Sequence, residues 1–249
     1  MNTKLLLAAC AALALSAGVA EAKPGKHVAA AVADKARPEA DTRRDADRKP
    51  AEMLEFAGVK AGHRVADFIP GGGYFTRIFA KAVGPKGVVY AVTNPPPANA
   101  ASPPPIAAIA ADPAYGNIKL VQTGIGSFSL PEPVDVFWTS QNYHDLYLTR
   151  FNLDVPAVDK AIFNAVKPGG VLIILDHAAR AGAPVAETAN TLHRIDPAAV
   201  RRNLEAAGFR FEGESKALAN PADDRSKGVF DPALRGHTDQ FVYKFRKPK

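Results

Sequence analysis

The sequence predicts an α/β fold, in which a doubly wound and mostly parallel sheet of seven strands ends in an antiparallel strand pair. Two observations predict it. Short apolar runs alternate with helical patterns along most of the 249 residues, as happens where helices join parallel strands. Residues 64–92 contain a strand, a glycine-rich turn, a helix and a second strand, which together form a right-handed βαβ unit.

The individual elements follow from apolar periodicity and from glycine or proline at their ends. Residues 23–44 are rich in alanine and charge with little periodicity, so we expect a loose arm there. The proline-rich residues 95–105 are expected to form a loop or a lid. The other predicted elements are helices over 47–57, 75–83, 155–166 and 197–207, and strands over 64–69, 87–92, 118–121, 134–139, 170–175, 209–214 and 241–245.

The N-terminal residues predict export. Residues 5–20 are apolar, follow Lys4 and lead to an Ala-x-Ala site that ends at Ala22, which is typical of a cleaved signal peptide. A lipoprotein signal at Cys10 is disfavoured, because five apolar residues separate this cysteine from Lys4. We therefore expect a periplasmic location, a signal peptide over 1–22, an N-terminal arm over 23–44 and a single domain over 45–249.

Composition limits the partners that we expect. The net charge is +6 at pH 7, but the basic side chains are not gathered on one face, so no nucleic-acid partner is predicted. No window of about 18 apolar residues follows the signal peptide, so no membrane span is predicted. Cleavage at Ala22 would remove the single cysteine, and disulfides would then contribute nothing to stability. These patterns leave the oligomeric state open.

The most informative motif is Pro-Gly-Gly-Gly-Tyr-Phe-Thr at residues 70–76, directly after the first strand. Glycine is kept where the backbone takes positive φ or where another group comes close, and ligands of open parallel sheets bind at the carboxyl ends of strands. A dinucleotide, S-adenosylmethionine or a tight turn without a ligand would each explain the motif. A dinucleotide site would need glycine at Thr76.

A second motif, Lys167-Pro168-Gly169-Gly170, stands immediately before the fifth strand. With these two motifs the sequence resembles the class I S-adenosylmethionine-dependent methyltransferases, and more narrowly a group of exported bacterial proteins described as predicted methyltransferases. The resemblance covers about residues 37 to 247. Its matching stretches are residues 48–52, 70–76, 142–145, 192–196 and 236–239.

This resemblance implies a Rossmann-like methyltransferase fold, S-adenosylmethionine as cofactor and a small-molecule acceptor. Two positions depart from the family pattern. Ile69 stands where the family has its first loop glycine, and Thr93 with Asn94 stands where an acid grips the ribose, so a neutral amide replaces a carboxylate there. The residues that the resemblance assigns to cofactor binding are Asp67, Gly71, Gly72, Gly73, Tyr74, Asn94 and Asn142.

Histidines and acids follow the fourth and fifth strands, and both loops are expected to open onto one cleft. We predict His144, Asp145 and His177 as catalytic residues, with His144 as general base and Asp145 orienting it, because imidazole titrates near neutral pH. Each of them could instead be an ordinary loop residue, as could His193. A divalent metal could also be bound by His144, Asp145, Asp176 and His177. No His-x-x-x-His spacing supports such a site, and no metal is predicted.

Three functions are compatible with these patterns. The first is methyl transfer from S-adenosylmethionine to a small molecule that His144 deprotonates. The second is an exported binding protein that keeps the methyltransferase-like fold, which would suit the departures at Ile69 and Thr93. The third is a metal-dependent enzyme in the same cleft. Fold alone does not choose among them, since one fold hosts many functions.

Overall fold

The computed structural model describes residues 24–249, so the predicted signal peptide lies outside the described residues. Its strands are β1 (Arg64–Phe68), β2 (Val88–Thr93), β3 (Ile118–Gln122), β4 (Val134–Ser140), β5 (Val166–His177), β6 (Arg210–Ser215) and β7 (Gln240–Arg246). They form one sheet in the order β3-β2-β1-β4-β5-β7-β6. Strands β1 to β5 run parallel, and β7 lies antiparallel between β5 and β6. The predicted mostly parallel sheet with its antiparallel C-terminal pair is confirmed.

Helices pack against both faces of this sheet. They are α1 (Lys26–Val32), α2 (Glu39–Thr42), α3 (Asp45–Arg48), α4 (Pro50–Ala57), α5 (Tyr74–Val83), α6 (Pro105–Ala111), α7 (Val155–Ala165), α8 (Val185–Leu192) and α9 (Pro197–Ala207). Side chains along a strand point alternately to opposite faces. Val65 on β1 therefore packs in a cluster with α1, α4 and α5, whereas Ala66 packs in a second cluster with α7 and α9. Burial on both faces explains why β5 is so apolar.

The sheet also fixes where a ligand can bind. Strand β1 lies between β2 and β4, so the direction in which strands are added reverses beside β1. Ligands of open α/β sheets bind at such a point, outside the carboxyl ends of the strands. The glycine motif and the turn after β4 both lie at this edge.

One predicted helix is divided into two in the structure, so its prediction as a continuous helix was wrong. The sequence predicted a single helix over 47–57, but α3 ends at Arg48 and α4 starts at Pro50. Lys49 between them has a left-handed conformation, with φ of 42°. Proline disfavours helical geometry in the residue before it and lacks the N–H that a helix interior needs. The break turns α3 away from α4 and towards the glycine motif.

The expected loose arm is instead ordered and packed. Val28 and Ala31 of α1 are buried in the cluster that covers one face of the sheet, where α1 lies against α5. Further along, Asp41 pairs with Arg77 on α5, and Asp45 pairs with Arg37. Apolar periodicity missed this segment because few of its residues are apolar, and its docking depends on ion pairs with distant partners.

Other elements differ in smaller ways. Helices α6 and α8 were not predicted, since both are short and begin at or beside proline. The residues before α6 carry no helix or strand, as expected for the proline-rich stretch. Within residues 24–249, no helix has the length and apolar character needed to cross a membrane.

Candidate functional site

The glycine motif forms a tight loop between β1 and α5 in which several residues take left-handed conformations. Gly71 and Gly73 have φ of 56° and 76°, and Ile69 has φ of 55°. A β-branched side chain is strained at positive φ. Ile69 thus keeps the backbone conformation that glycine would provide more easily. A Cβ added at Gly71 or Gly72 would meet nothing within 4 Å, so the space over these two glycines is open.

A cavity of about 310 Å³, hereafter the first cavity, lies against this loop. The turn after β4 forms its second wall. Its cover consists of Asp41 of α2, Arg48 of α3, and Arg44 from the two-residue link between these helices. Tyr74, at the start of α5, also lines the first cavity and is held in place because its hydroxyl donates to Asp45 at 2.6 Å. The first cavity therefore lies at the carboxyl ends of β1 and β4, where the strand order predicts a ligand.

The cover of the first cavity is positively charged. The guanidinium of Arg48 lies 4.5 Å from the centroid of the Tyr74 ring and donates to Oγ of Ser140 at 2.8 Å. Arg44 lies over the same ring at 5.3 Å. Burial, together with the charge of Arg44, lowers the pKa of Arg48 to about 10. Among the described residues, no carboxylate lies within ion-pair distance of Arg48, so an anionic ligand would complete its surroundings.

The floor of the first cavity is polar and acidic. Asp67 accepts a hydrogen bond from the hydroxyl of Thr76 at 2.6 Å, and burial raises the pKa of Asp67 to about 7. Asn142 donates through Nδ2 to the carbonyl oxygens of Phe68 and Ile69, at 2.8 and 3.1 Å, and so braces the loop. The buried Oδ1 of Asn142 has no partner within the described part of the chain. A donor from a ligand would satisfy it.

Next to the first cavity, three side chains from two distant segments converge, and we call them the His-Asp-His cluster. His144 and Asp145 lie in the turn after β4, and His193 follows α8. Nε2 of His144 lies 3.4 Å from Oδ1 of Asp145, and Nδ1 of His193 lies 3.7 Å from the same oxygen. The two imidazole centroids are 5.4 Å apart. Asp145 also lines the first cavity.

Asp176 at the end of β5 orients His144, a role that the sequence predicted for Asp145. Its Oδ1 accepts from Nδ1 of His144 at 2.8 Å, and its two oxygens also accept the backbone N–H groups of His144 and His177 at 2.8 Å. Burial would raise the pKa of Asp176, but its contact with His144 outweighs this and lowers it. Burial would likewise lower the pKa of His144, and the charge of Asp176 raises it instead.

His177 follows Asp176 in β5, its ring centroid lies 5.9 Å from that of His144, and it lines a second cavity of about 420 Å³. Its Nδ1 lies 2.7 Å from Oγ1 of Thr238. Burial lowers the pKa of His177 to about 4, so the imidazole is neutral at pH 7. Arg44 and Arg48 line the second cavity as well as the first, and Phe230 lines it on the far side. The two cavities thus lie side by side beneath the same arginines.

The structure brings most of the predicted site residues to these two cavities. The first cavity is lined by Asp67, Gly71, Gly72, Tyr74, Asn142 and Asp145, and the second by His177. Two predicted cofactor residues lie elsewhere. Gly73 packs towards α6, where an added Cβ would contact Ile109. Oδ1 of Asn94 accepts the backbone N–H of Ile125 at 3.0 Å and so holds the loop after β3.

Sequence reasoning missed Arg44 and Arg48, because it assigned Arg44 to a loose arm and Arg48 to an ordinary helix. Two basic residues four positions apart, close before a helix-breaking proline, were the available signal. No sequence pattern groups His193 with His144, since the two are far apart in the chain. Only the fold brings them together.

An α/β sheet of this strand order, with a glycine loop and an acidic residue at the end of β1, is typical of proteins that bind a nucleotide-like cofactor at this edge. Comparisons with known proteins narrow the class. The chain is 30% identical over 190 residues to the ubiquinone/menaquinone biosynthesis C-methyltransferase UbiE of Saccharophagus degradans. The aligned region covers 72% of this chain and 70% of that protein. The chain therefore belongs to the class I S-adenosylmethionine-dependent methyltransferase superfamily. No protein-family model matches it.

Solved structures agree on the fold. An S-adenosylmethionine-dependent methyltransferase from Aquifex aeolicus superposes with a TM-score of 0.57 at 20% identity, over 82% of this chain and 92% of that one. The glycopeptide N-methyltransferase MtfA, in complex with S-adenosylmethionine, gives 0.54 at 16% identity over 80% and 86% of the two chains. The Rossmann-like methyltransferase fold implied by the sequence is thus confirmed.

Proposed function

We propose that the protein transfers a methyl group from S-adenosylmethionine to a small-molecule acceptor. The observation that carries this proposal is the set of incompletely paired polar groups around the glycine loop. The methionine end of the cofactor has one ammonium and one carboxylate. The first cavity offers Asp67 and the unpartnered Oδ1 of Asn142 to the ammonium, and Arg48 to the carboxylate. The residues present therefore fit this cofactor.

When bound, S-adenosylmethionine supplies a methyl group on a positively charged sulfur. The protein's part is to hold the two reactants in line, and such positioning accounts for much of the rate in a transfer of this kind. Gly71 and Gly72 allow close approach, since the space over them is open. Asn142 keeps the loop in place through its two bonds to the β1 end.

The second cavity is proposed to take the acceptor. It adjoins the first cavity beneath Arg44 and Arg48, and His177 and Phe230 give it one polar and one apolar wall. An acceptor that must lose a proton would lose it to His144 at Nε2, while Asp176 holds Nδ1. In this proposal His144 and Asp176 act as base and orienting group, and His177 contacts the acceptor.

Several finer expectations stay proposals. Export rests on residues 1–22, and kinship with an exported bacterial group rests on the sequence stretches given above. We likewise propose that the sheet is doubly wound and that the acceptor is a small molecule. The departure at Ile69 no longer argues against a cofactor, since its backbone takes the left-handed conformation of a loop glycine.

Calorimetric titration of the protein with S-adenosylmethionine and S-adenosylhomocysteine tests the proposal. Gly71→Val is the test variant and Gly62→Val the matched control. Both glycines have positive φ and open space around a Cβ, but only Gly71 lines the first cavity. Both valines therefore strain the backbone, whereas only the one at position 71 fills the cavity.

We expect micromolar binding that is lost in Gly71→Val and kept in Gly62→Val. Equal loss of binding in both variants would mean that backbone strain, and not the filled cavity, abolishes binding. That result would count against the assigned site. No heat at millimolar ligand with the unmodified protein would overturn the proposed function.

A further inference from the structure

We propose that the His-Asp-His cluster binds a divalent first-row transition metal ion, with Nε2 of His144, Oδ1 of Asp145 and Nδ1 of His193 as ligands. These three atoms lie within 4.8 Å of one another. The two contacts to Asp145, at 3.4 and 3.7 Å, are longer than ordinary hydrogen bonds. They match the separation of about 3.3 Å between ligand atoms placed 2.0–2.1 Å from a tetrahedral ion.

The hydrogen bond at the other ring nitrogen of His144 supports this assignment. A metal-ligating histidine nearly always donates its other ring nitrogen to a carboxylate or carbonyl, which fixes the tautomer and the ring orientation. Asp176 provides this, because its Oδ1 lies 2.8 Å from Nδ1 of His144. Asp176 is itself fully buried and held by two backbone N–H groups. Nε2 of His144 is therefore aimed towards Asp145 by a rigid support.

The backbone at His193 is a second, independent observation. His193 has φ of 53°, a left-handed conformation that strains a non-glycine residue. It ends α8, a position where glycine or asparagine would be easier. The ring is held in place by an edge contact with Phe230, at 5.0 Å between centroids. Such strain is typical of residues that are kept for a function.

The donor set selects the kind of ion. Two imidazoles with one carboxylate suit zinc, iron(II) or manganese(II), whereas magnesium and calcium prefer oxygen ligands alone. Three protein ligands leave at least one coordination position for a water or a substrate. Asp145 lines the first cavity, and Phe230, which contacts His193, lines the second. The cluster thus lies next to the first cavity through Asp145, and next to the second through the contact of His193 with Phe230.

This placement deepens the proposed function, on which its role in catalysis rests. An ion at this cluster would hold an oxygen donor of the acceptor, so the acceptor class would be a hydroxyl, enol or carboxylate compound. Nε2 of His144 cannot bind an ion and accept a proton at the same time. In the ion-bound protein a hydroxyl or enol acceptor would release its proton to solvent and bind the ion through the resulting anionic oxygen, and His144 would act as base only without the ion.

Cobalt(II) is a suitable probe, because its visible absorption reports both binding and coordination number. The full chain, stripped with a chelator, is titrated with cobalt chloride, and bound cobalt is then displaced with zinc. We expect one equivalent with micromolar affinity. His193→Asn should weaken binding at least 100-fold, and asparagine tolerates the left-handed conformation at that position. Asp176→Asn should weaken binding about 10- to 100-fold through His144.

His237→Asn is the matched control. His237 lies 3.8 Å from Asp47 on the surface and forms a histidine–carboxylate pair without a third ligand in the part of the chain that the structure describes. Its replacement should leave cobalt affinity unchanged. Circular dichroism of each variant shows whether the chain is folded. Absence of cobalt binding at millimolar concentration, or binding that His193→Asn leaves intact, would overturn the proposal.

A parallel titration with S-adenosylmethionine separates the two proposals. If the metal-stripped protein binds the cofactor but no cobalt, the metal site is wrong and the proposed function stands. If it binds cobalt but no cofactor, the metal site stands and methyl transfer is wrong.

Discussion

Asp67 and Asp176 occupy equivalent places in the sheet, since each is the last residue but one of a parallel strand, β1 or β5. Both are buried, yet their surroundings differ. Asp176 accepts two backbone N–H groups and contacts a histidine, and its pKa is lowered. Asp67 accepts from Thr76, and burial raises its pKa to about 7.

The difference separates two uses of a buried carboxylate. The protein itself satisfies Asp176, which therefore acts on its neighbours by holding the turn after β4 and the ring of His144. Asp67 faces a cavity with too few donors to offset its burial, and this cost is offset only when a ligand brings a positive charge or further donors. The same sheet edge thus carries one carboxylate that supports its neighbours and one that we propose binds the ligand.

The largest expected effect is on stability. Asp176→Ala would leave two buried N–H groups and a buried imidazole without their acceptor. The free energy of unfolding should then fall by about 3–5 kcal/mol, as for the loss of one partner from a buried ion pair. Urea denaturation followed by circular dichroism measures it. Asp224→Ala, at an exposed acid, should change it by less than about 0.5 kcal/mol. A loss of under 1 kcal/mol at Asp176 would remove the contrast between the two carboxylates.

A smaller effect concerns pH. Folded Asp67 holds its proton up to about pH 7, whereas the unfolded chain releases it near pH 4. The folded state therefore binds more protons between these values, and its stability falls as pH rises from about 4 to 7. Relative to Asp67→Asn, whose amide does not titrate, the unmodified protein should lose on the order of 2–4 kcal/mol over that range.

Asp159 gives this pH experiment a matched control. Burial also raises its pKa to about 7, but its partner is the hydroxyl of Tyr143 in the opposite cluster. Asp159→Asn should remove a similar pH dependence without changing S-adenosylmethionine affinity, whereas Asp67→Asn should weaken that affinity. If both variants bound the cofactor equally well, Asp67 would not be a binding carboxylate.

The smallest expected effect concerns the positive charge of Arg48, which lines the same cavity as Asp67. Arg48→Gln should lower S-adenosylmethionine affinity about tenfold, since a charge-assisted hydrogen bond contributes about 1.5–3 kcal/mol and glutamine keeps part of the contact. Stability should change little, because the guanidinium has no carboxylate partner among the described residues. Calorimetry measures the affinity, with Arg43→Gln, at an exposed arginine, as control. Unchanged affinity would mean that Arg48 holds another group.

The sequence predicted the parts of the fold that depend on local signals. The strands, the glycine loop and the helix that Asp196 caps were predicted because apolar periodicity, glycine and capping residues act over a few positions. The split of the predicted 47–57 helix was missed, although Pro50 was its visible cause. Helix α1 was missed because its stability comes from packing against α5, which local patterns do not report.

The candidate site was only partly predictable for a related reason. Asp67, Gly71 and Asn142 lie at strand ends, and the topology rule places such residues at one edge. The side chains that distinguish this cleft do not follow from strand ends alone. Arg48 reaches the cavity because Lys49 reverses the chain, and His193 reaches His144 because α8 packs against the turn after β4. Both arrangements depend on tertiary contacts that spacing in the sequence does not reveal.

The packing of α1 against α5 also has a consequence for the order in which the chain can fold. Helix α1 leaves the ribosome before β1 and α5, but the surface that buries Val28 and Ala31 forms only after these two elements have emerged. A helix of this length is marginal alone in water. Among the described elements, the one synthesised first is therefore among the last to become stable, and the arginine-bearing cover of the cavity closes only after the sheet beneath it exists.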